Sequence, residues 1–329
     1  MYTPFDNIEA QADGETREMA DIERVISRTA RELISSTEAE EHIMPSWEGP
    51  LPSPDAIREI VNQLKIVVFP DFFDQLRGCR AMTRARLTVS VDRLFRLLTE
   101  EISKCFAARG ERQSIDRIHA KSVDRALRII NRIPEIKRLL YTDVQAIYDN
   151  DPATDDYGEI ILSYPVVHAM VHYRLAHEMV ELKIPVLPRI LTELAHSQTG
   201  IDINPGARIG EYFAIDHGTG IVIGETCIIG DHVTIYQGVT LGAKNFTLDD
   251  EGRPVNLPRH PILEDNVTIY ANSTILGRVT IGHDTVIGGN VWLTESVPPH
   301  SRVTQPPFTA SNRITTRHPD STSGERNPA

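Results

Sequence analysis

The spacing of hydrophobic residues changes near residue 200 of this 329-residue chain. Before that point, apolar residues recur at steps of three and four, which is the spacing of amphipathic helices. Ser53 and Pro54 supply the N-cap and the first-turn proline of one such helix. Pro134 is expected to interrupt another. Further helices are predicted over 89–108, 115–140, 166–182 and 186–197.

After residue 200 the aliphatic residues recur every six positions. The series opens with Ile203, Ile209 and Ile215 and then slips by two residues; it continues as Ile223, Ile229, Ile235, Leu241, Leu263, Ile269, Ile275, Ile281, Ile287 and Leu293. Four positions after each of the last six stand Val267, Ser273, Val279, Thr285, Val291 and Val297. Each hexapeptide supplies one short strand and one turn, and three of them close a triangular coil that shares its core with the next coil. This region is therefore predicted to be a parallel β-helix.

These patterns predict an α+β protein, with an N-terminal all-α helical domain over 1–198 and a β-helix over 199–304. The polar stretch 243–260 breaks the repeat, and it is expected to leave the solenoid as an excursion loop where function tends to reside. Residues 305–329 are rich in Pro, Ser, Thr, Asn and Arg and are expected to be disordered. Fraying is expected before residue 15, and 44–54, with four prolines, is expected to be a linker or turn.

Composition excludes several classes of protein. The net charge of −12 repels phosphate backbones, which argues against nucleic acid as a partner. No apolar run is long enough to predict a membrane span, and the polar N-terminus has no secretory signal. Cys79, Cys105 and Cys227 show no C-x-x-C spacing, which argues against a zinc knuckle and is typical of a cytoplasmic protein. Cys227 falls in an inward-facing slot of the repeat and is expected to be part of the core.

The first candidate for chemistry is His217, in the block D-H-G-T-G at 216–220, where the hexapeptide register slips. A turn there would expose the imidazole. A hydroxyl group is a poor nucleophile near neutral pH and needs a positioned base, for which a histidine oriented by a carboxylate is the usual solution. Asp202 lies fifteen residues earlier, nearly one coil of eighteen, and is expected beneath His217.

The run 202–242, with its D-H-G-T-G block and the downstream R-H-P at 259–261, resembles the serine acetyltransferases. The stretch HAMVHYRLAH at 168–177 resembles the helical motif of that family, and DNDPA at 149–153 resembles its acidic turn. The resemblance covers about half of the chain. It implies that the β-helix is left-handed, a sense that the repeat period alone cannot supply.

The resemblance also implies the catalytic residues. His217 would be the general base, Asp202 its orienting partner, and His260 would contact the substrate or polarise the acetyl carbonyl. The reaction would be the transfer of acetyl from acetyl-CoA to the hydroxyl of L-serine, for cysteine biosynthesis. It would pass through a tetrahedral intermediate, with backbone N–H groups as oxyanion donors.

Substrate and acetyl-CoA would be held by further groups that the resemblance assigns. Asp151 and Asp216 would hold the ammonium group of serine, and Arg259 its carboxylate by a two-pronged contact. Acetyl-CoA is implied as co-substrate, without a metal, and it would lie near Gly242, Ala243, Ala271, Gly288 and Gly289.

Oligomers are implied as well. The family forms trimers with sites between adjacent subunits, so a homotrimer, or a hexamer built as a dimer of trimers through the helical region, is expected. Many relatives dock O-acetylserine sulfhydrylase through a terminal isoleucine; this chain ends in Asn-Pro-Ala, which argues against that complex.

Other functions remain open at this point. Another hexapeptide acyltransferase would act on a different amino acid or an amino sugar, but a sugar has no carboxylate for Arg259. A γ-carbonic-anhydrase-like metalloenzyme needs three converging imidazoles, and the repeats contain no H-x₄-H pair. His168, His172 and His177 are expected to pack rather than bind zinc, and His232 and His283 to be plain surface residues. A catalytically silent regulatory homologue is favoured only by residues 297–314 (VPPHSRVTQPPFTASNRI), which differ from the sequence that lines the CoA site in the family that the chain resembles.

Overall fold

The protein consists of a helical part followed by a β-solenoid. The computed structural model describes residues 6–305 apart from 36, 38–39, 41–42, 44–46, 74–79, 111–113, 246–247 and 254, and for 6–18, 20 and 80–83 it describes the backbone alone. Cys79 and nearly all of the predicted tail lie outside the described residues.

The helices precede the strands in chain order. They are α1 (Asp6–Ile34), α2 (Pro54–Val68), α3 (Pro70–Phe73), α4 (Arg80–Ala108), α5 (Ile115–Asn150), α6 (Tyr157–Ser163), α7 (Pro165–Glu181) and α8 (Leu187–Thr199). The start of α2 confirms the predicted cap, because the Ala56 N–H donates to Ser53 Oγ at 3.4 Å. In the part of the chain that the structure describes, no helix combines the length and the apolar character needed to cross a membrane.

Two expectations about the helices were wrong. Pro134 does not interrupt a helix but lies inside α5, which runs on to Asn150. Pro134 is exposed, so water can hydrate the carbonyl four residues earlier that has lost its N–H donor. The start of the chain was expected to fray before residue 15, yet α1 begins at Asp6.

The strands form three parallel sheets that close a prism of about five coils, a left-handed β-helix. The A face contains β1 (Asp202–Ile203), β4 (Val222–Ile223), β7 (Thr240–Gly242), β10 (Thr274–Leu276) and β13 (Trp292–Leu293). The B face contains β2 (Arg208–Ile209), β5 (Ile228–Ile229), β8 (Ile262–Leu263) and β11 (Thr280–Ile281). The C face contains β3 (Ala214–Asp216), β6 (Thr234–Tyr236), β9 (Thr268–Ile269), β12 (Val286–Ile287) and β14 (Arg302–Val303).

The hexapeptide positions fill the prism, as predicted. Every aliphatic position from Ile203 to Ile287 is buried, and so are Ser273 and Thr285 in the small-residue slots. Their hydroxyls are satisfied inside the core, because Ser273 Oγ donates to Gly288 O at 2.7 Å and Thr285 Oγ1 to Pro298 O at 3.2 Å. Cys227 is confirmed as a core residue, and burial raises the pKa of its thiol to about 12.

Three corners join the faces, and we call them the AB, BC and CA corners after the faces they connect. The excursion, between β7 and β8, leaves the prism at the AB corner. The first coil contains twenty residues, as the two-residue slip in the series predicted, because Asp202 pairs with Val222. The two extra residues lie in the turn 217–220 at the CA corner, where the slip in the repeat was predicted.

A buried ion pair attaches the helices to the solenoid. Arg174 on α7 donates two hydrogen bonds to Asp143 on α5, from Nη2 to Oδ1 at 2.9 Å and from Nε to Oδ2 at 3.1 Å. The same guanidinium donates to Ile209 O at 2.6 Å and Gly210 O at 2.7 Å, and Asp143 accepts the Phe213 N–H at 3.2 Å. Both side chains are almost completely buried. The pair therefore connects two helices with the first coil.

Replacing Asp143 by alanine should destabilise the protein by about 3–5 kcal/mol, because the guanidinium of Arg174 would stay buried without its carboxylate. The measurement is the midpoint of thermal unfolding at a fixed chain concentration. Asp92→Ala is the control, since it breaks an exposed ion pair with Arg96 on α4 and should leave the midpoint nearly unchanged. An unchanged midpoint for Asp143→Ala would show that the pair does not hold the two parts together.

Candidate active site

The sequence-predicted site residues fall at two corners of the prism. Asp216 and His217 lie at the CA corner, where the Asp202 strand also begins, and Asp151, at the end of α5, is close enough to His217 for their charges to interact. Arg259 and His260 end the excursion at the AB corner.

Asp151 is fixed by the end of α5. Pro152 disfavours a helical backbone in the preceding residue, and Asp151 is extended, with φ −110° and ψ 104°. Its Oδ1 accepts the Ala153 N–H at 2.8 Å, and its Oδ2 accepts the Tyr164 hydroxyl at 2.7 Å. The hydrogen bond from Tyr164, then that from Ala153, holds the pKa of Asp151 below its usual range, and the nearby charge of His217 lowers it further. Asp151 is thus a carboxylate near neutral pH.

His217 projects from a turn that two glycines complete. Its own backbone is left-handed (φ 56°), and Gly218 and Gly220 follow with φ 88° and 80°. A Cβ on Gly218 would lie 2.6 Å from Ile201 Cδ1, so the turn packs against the core and directs His217 outward. The imidazole is 74% exposed, and its Nε2 lies 3.8 Å from Asp216 Oδ1. It is therefore free to meet a ligand.

Asp202 lies at the start of the A face but makes no ion pair or hydrogen bond with His217 within the described residues. The carboxylate that does lie close to the His217 ring is that of Asp216. Ligand atoms of Asp202, Glu193 and His196 lie within 4.8 Å of one another, so Asp202 faces the end of α8. The pairing of Asp202 with His217 stays a prediction.

At the AB corner, a carboxylate holds Arg259. Its Nη2 contacts Glu225 Oε2 at 3.1 Å, and its Nη1 donates to Asn256 Oδ1 at 2.9 Å. The backbone N–H of Arg259 donates to Thr226 Oγ1 at 2.9 Å. The Arg259 side chain as a whole is 23% exposed.

Thr226 fixes the tautomer of His260. Thr226 Oγ1 accepts the backbone N–H groups of Arg259 and His260, so its own proton points to His260 Nδ1, 2.8 Å away. The Thr226 N–H also donates to this Nδ1, at 3.1 Å. With two donors on Nδ1, the neutral ring carries its proton on Nε2. Burial, then the charge of Arg259, lowers the pKa of His260, which keeps the ring neutral and Nε2 a donor.

Two further residues support His260. The Arg278 guanidinium donates to Thr226 O at 2.6 Å and to His260 O at 2.9 Å. Gly224 provides the space for the ring, since a Cβ there would lie 2.0 Å from His260 Cδ2. The imidazole lies directly on the backbone of the second coil.

The five residues predicted to line the acetyl-CoA site divide between the same two corners. Gly242 ends β7 and Ala243 opens the excursion, both at the AB corner. Ala271, Gly288 and Gly289 lie at the CA corner, where a Cβ on Gly289 would lie 3.3 Å from Ala271 O. The later coils therefore continue both halves of the site along the prism.

Sequence reasoning missed several residues of the site. Tyr164 donates to Asp151 across thirteen positions, and Glu225 and Thr226 contact the Arg259–His260 segment across about thirty-four. Tyr236 pairs with Asp216 in the next coil, and its ring stacks on Tyr270 at 4.8 Å. No motif spacing marks these partners, although Glu225 and Thr226 do lie within the run that carried the resemblance.

One chain alone cannot bring the two corners together. From Thr219 at the CA corner to Gly224 at the AB corner the chain crosses the A face in five residues, roughly 15 Å of extended strand. A single small ligand would span His217 and Arg259 only if the CA corner of one chain met the AB corner of another.

Comparison with known proteins gives consistent results. Residues 260–295 match the family described as bacterial transferase hexapeptide (six repeats). The chain is 43% identical over 279 residues to the plasmid serine acetyltransferase of Synechococcus elongatus, covering 82% of this chain and 87% of that protein. It is 41% identical over 166 residues to the serine acetyltransferase of Bacillus subtilis, covering 50% of this chain and 73% of that protein.

Solved structures agree with the sequence relatives. The crystal structure of Entamoeba histolytica serine acetyltransferase 1 in complex with L-cysteine superposes with a TM-score of 0.65 at 34% identity. The alignment covers 75% of this chain and 86% of that one, so it includes helices as well as the solenoid.

Proposed function

This chain belongs to the serine acetyltransferase family, and we propose that it transfers the acetyl group of acetyl-CoA to the hydroxyl of L-serine, giving O-acetyl-L-serine and CoA for cysteine biosynthesis. It would act in the reducing cytoplasm, where its buried thiols Cys105 and Cys227 stay free.

The observation that carries the proposal is the charge pattern of the two corners. Asp151 and Asp216 present carboxylates at the CA corner, and Arg259 presents a guanidinium at the AB corner. A zwitterionic amino acid is bound by both kinds of group. Protein carboxylates pair with its ammonium group, and a guanidinium donates two hydrogen bonds to its carboxylate. An amino sugar has no carboxylate for Arg259, which favours L-serine over a sugar acceptor.

His217 is assigned the role of general base. Its exposed imidazole would take the proton of the serine hydroxyl as the oxygen attacks the acetyl carbonyl carbon. The tetrahedral intermediate then collapses, the C–S bond breaks, and the same imidazolium returns the proton to the sulfur of CoA. Asp216, whose Oδ1 lies 3.8 Å from Nε2, would stabilise that imidazolium, and Asp202 is proposed to orient the ring once substrate is bound.

His260 is assigned to the acetyl carbonyl. Because Thr226 donates hydrogen bonds to Nδ1, the neutral ring carries its proton on Nε2. This N–H suits hydrogen bonding to an oxygen that becomes negative in the transition state. Its lowered pKa favours this neutral donor near neutral pH.

The active form is proposed to be a cyclic trimer. The CA corner of one chain would meet the AB corner of its neighbour, so three equivalent sites form at three equivalent contacts. Exposed apolar side chains on the A face, Val222 at 39% and Trp292 at 68%, suit a face turned toward the trimer axis. Acetyl-CoA would lie in the same contact, between Gly242 and Ala243 of one chain and Ala271, Gly288 and Gly289 of the next.

Thiol release from acetyl-CoA by the purified protein tests the proposal, with L-serine, D-serine, L-homoserine and glucosamine compared as acceptors. Rapid release with L-serine alone is the expected result. Faster release with another acceptor would overturn the substrate assignment, and no release with any acceptor would overturn the activity.

A further inference from the structure

The BC corner contains a column of side chains that the proposed reaction does not use. One residue in each coil adopts a left-handed backbone there: Tyr212, His232, Asn266, Asp284 and His300, with φ between 56° and 60°. The backbone N–H groups of the last four each donate to the preceding coil, at 2.9–3.0 Å. The stacking therefore brings together side chains that are far apart in sequence.

At the end of this column, two imidazoles and a carboxylate converge. His283 Nδ1 lies 2.7 Å from Asp284 Oδ2, and His300 Nδ1 lies 3.4 Å from the same oxygen. The two rings are 4.7 Å apart and nearly perpendicular. One ligand atom from each of the three residues lies within 4.8 Å of the others.

This donor set suits a late transition-metal ion. Imidazole nitrogen and carboxylate oxygen are ligands that zinc accepts, at about 2.0–2.2 Å, and tetrahedral coordination at that radius places ligand atoms about 3.3 Å apart. The separations of 2.7 and 3.4 Å bracket that value, so small side-chain rotations would admit an ion.

A neighbouring group supports the geometry. Glu264 accepts the backbone N–H of His283 at 2.8 Å, which fixes the turn from the coil below.

We propose that His283, Asp284 and His300 bind one divalent late transition-metal ion, Zn²⁺ being the best fit, which clamps the fifth coil to the fourth. Three protein ligands leave one position for water or an added ligand. Because the CA and AB corners would be covered in the proposed trimer, the BC corner points outward and stays accessible. The sequence predicted no metal and a plain surface role for His283. His300 is seventeen residues further on, and only the stacking of coils joins the two.

The test is calorimetric titration of ZnCl₂ into the tag-free full-length protein, stripped with chelator and dialysed. One ion should bind per chain, and His283→Ala and His300→Ala should each weaken binding by at least about tenfold, since even indirect supports of metal ligands have effects of that size. Asp284→Asn tests the third ligand. All three side chains are substantially exposed, so the variants should fold, which circular dichroism checks.

Two matched controls make the result specific. His232→Ala removes the histidine of the same column three coils below His300, and His196→Ala removes the histidine of the group at Glu193 and Asp202. Neither should change the binding. The proposal would be overturned if the wild-type protein bound no zinc, or if either the His283 or the His300 variant bound zinc with wild-type affinity. It would also be overturned if a control variant lost zinc binding instead. The readout is independent of acetyl transfer, so it stands or falls apart from the proposed reaction.

Discussion

Replacing His217 by alanine should lower kcat for acetyl transfer to L-serine by about 10²–10⁴-fold, because the serine hydroxyl would lose the imidazole that is proposed as its general base. The imidazole is 74% exposed and packs against little, so the change should leave the oligomer and the thermal midpoint nearly intact. Steady-state thiol release at saturating acetyl-CoA measures kcat, and size-exclusion chromatography reports the assembly.

His232→Ala is the matched control for this prediction. His232 is also an exposed turn histidine, and its φ of 57° equals that of His217 within a degree, so any backbone strain from alanine is the same in both variants. It lies at the BC corner, away from the candidate site, and its kcat should stay close to wild type. Near-normal turnover in His217→Ala, or an equal loss in His232→Ala, would contradict the general-base assignment.

Replacing Arg259 by alanine should raise the KM for L-serine by roughly 10–100-fold, since a hydrogen-bonded contact between charged groups contributes about 1.5–3 kcal/mol. The KM for acetyl-CoA should change little, because the guanidinium is assigned to the serine carboxylate. Arg259→Lys should recover part of the lost affinity for serine, because a lysine ammonium keeps the positive charge but cannot make the two-pronged contact.

Arg253→Ala is the control within the same excursion, because the Arg253 side chain is 68% exposed and its guanidinium contacts the carboxylates of Asp249 and Glu251 in the loop itself. It should leave both KM values unchanged. If Arg259→Ala affected the KM for acetyl-CoA as strongly as that for serine, Arg259 would belong to a general anion site and the assignment to the serine carboxylate would be wrong.

The solenoid could be predicted from the sequence because its core has a simple period. Each coil repeats the same inward positions, so Ile229, Leu263 and Ile281 mark the same B face whatever surrounds them. The turn at 216–220 could be recognised for the same reason, since it breaks that register. The excursion was visible as a gap in the series.

Other elements left no such signal. Pro134 looked like a helix end, but its solvent position in α5 makes the lost hydrogen bond tolerable, and solvent exposure depends on tertiary packing. The helix α1 was missed even though Ile22, Ile26 and Leu33 recur at helical spacing, and all three are exposed in the structure. Its apolar stripe has no partner within the described part of the chain.

The supporting residues of the site were unpredictable for a different reason. Tyr164, Glu225 and Thr226 act through contacts with Asp151, Arg259 and His260. These contacts depend on how α6 and α7 dock and on how coils stack, and neither is encoded by a local motif. The motif supplied the reacting groups, while the fold supplied the groups that hold them.

Mixing two defective variants tests the central claim most directly, namely that His217 of one chain works with Arg259 of its neighbour. Differently tagged His217→Ala and Arg259→Ala chains would be co-expressed, purified as mixed oligomers and assayed at low L-serine. A cyclic trimer that contains both variants has one contact in three that pairs an intact CA corner with an intact AB corner, so about a third of wild-type activity should return. Mixed oligomers no more active than the two variants alone would show that the site does not form between chains.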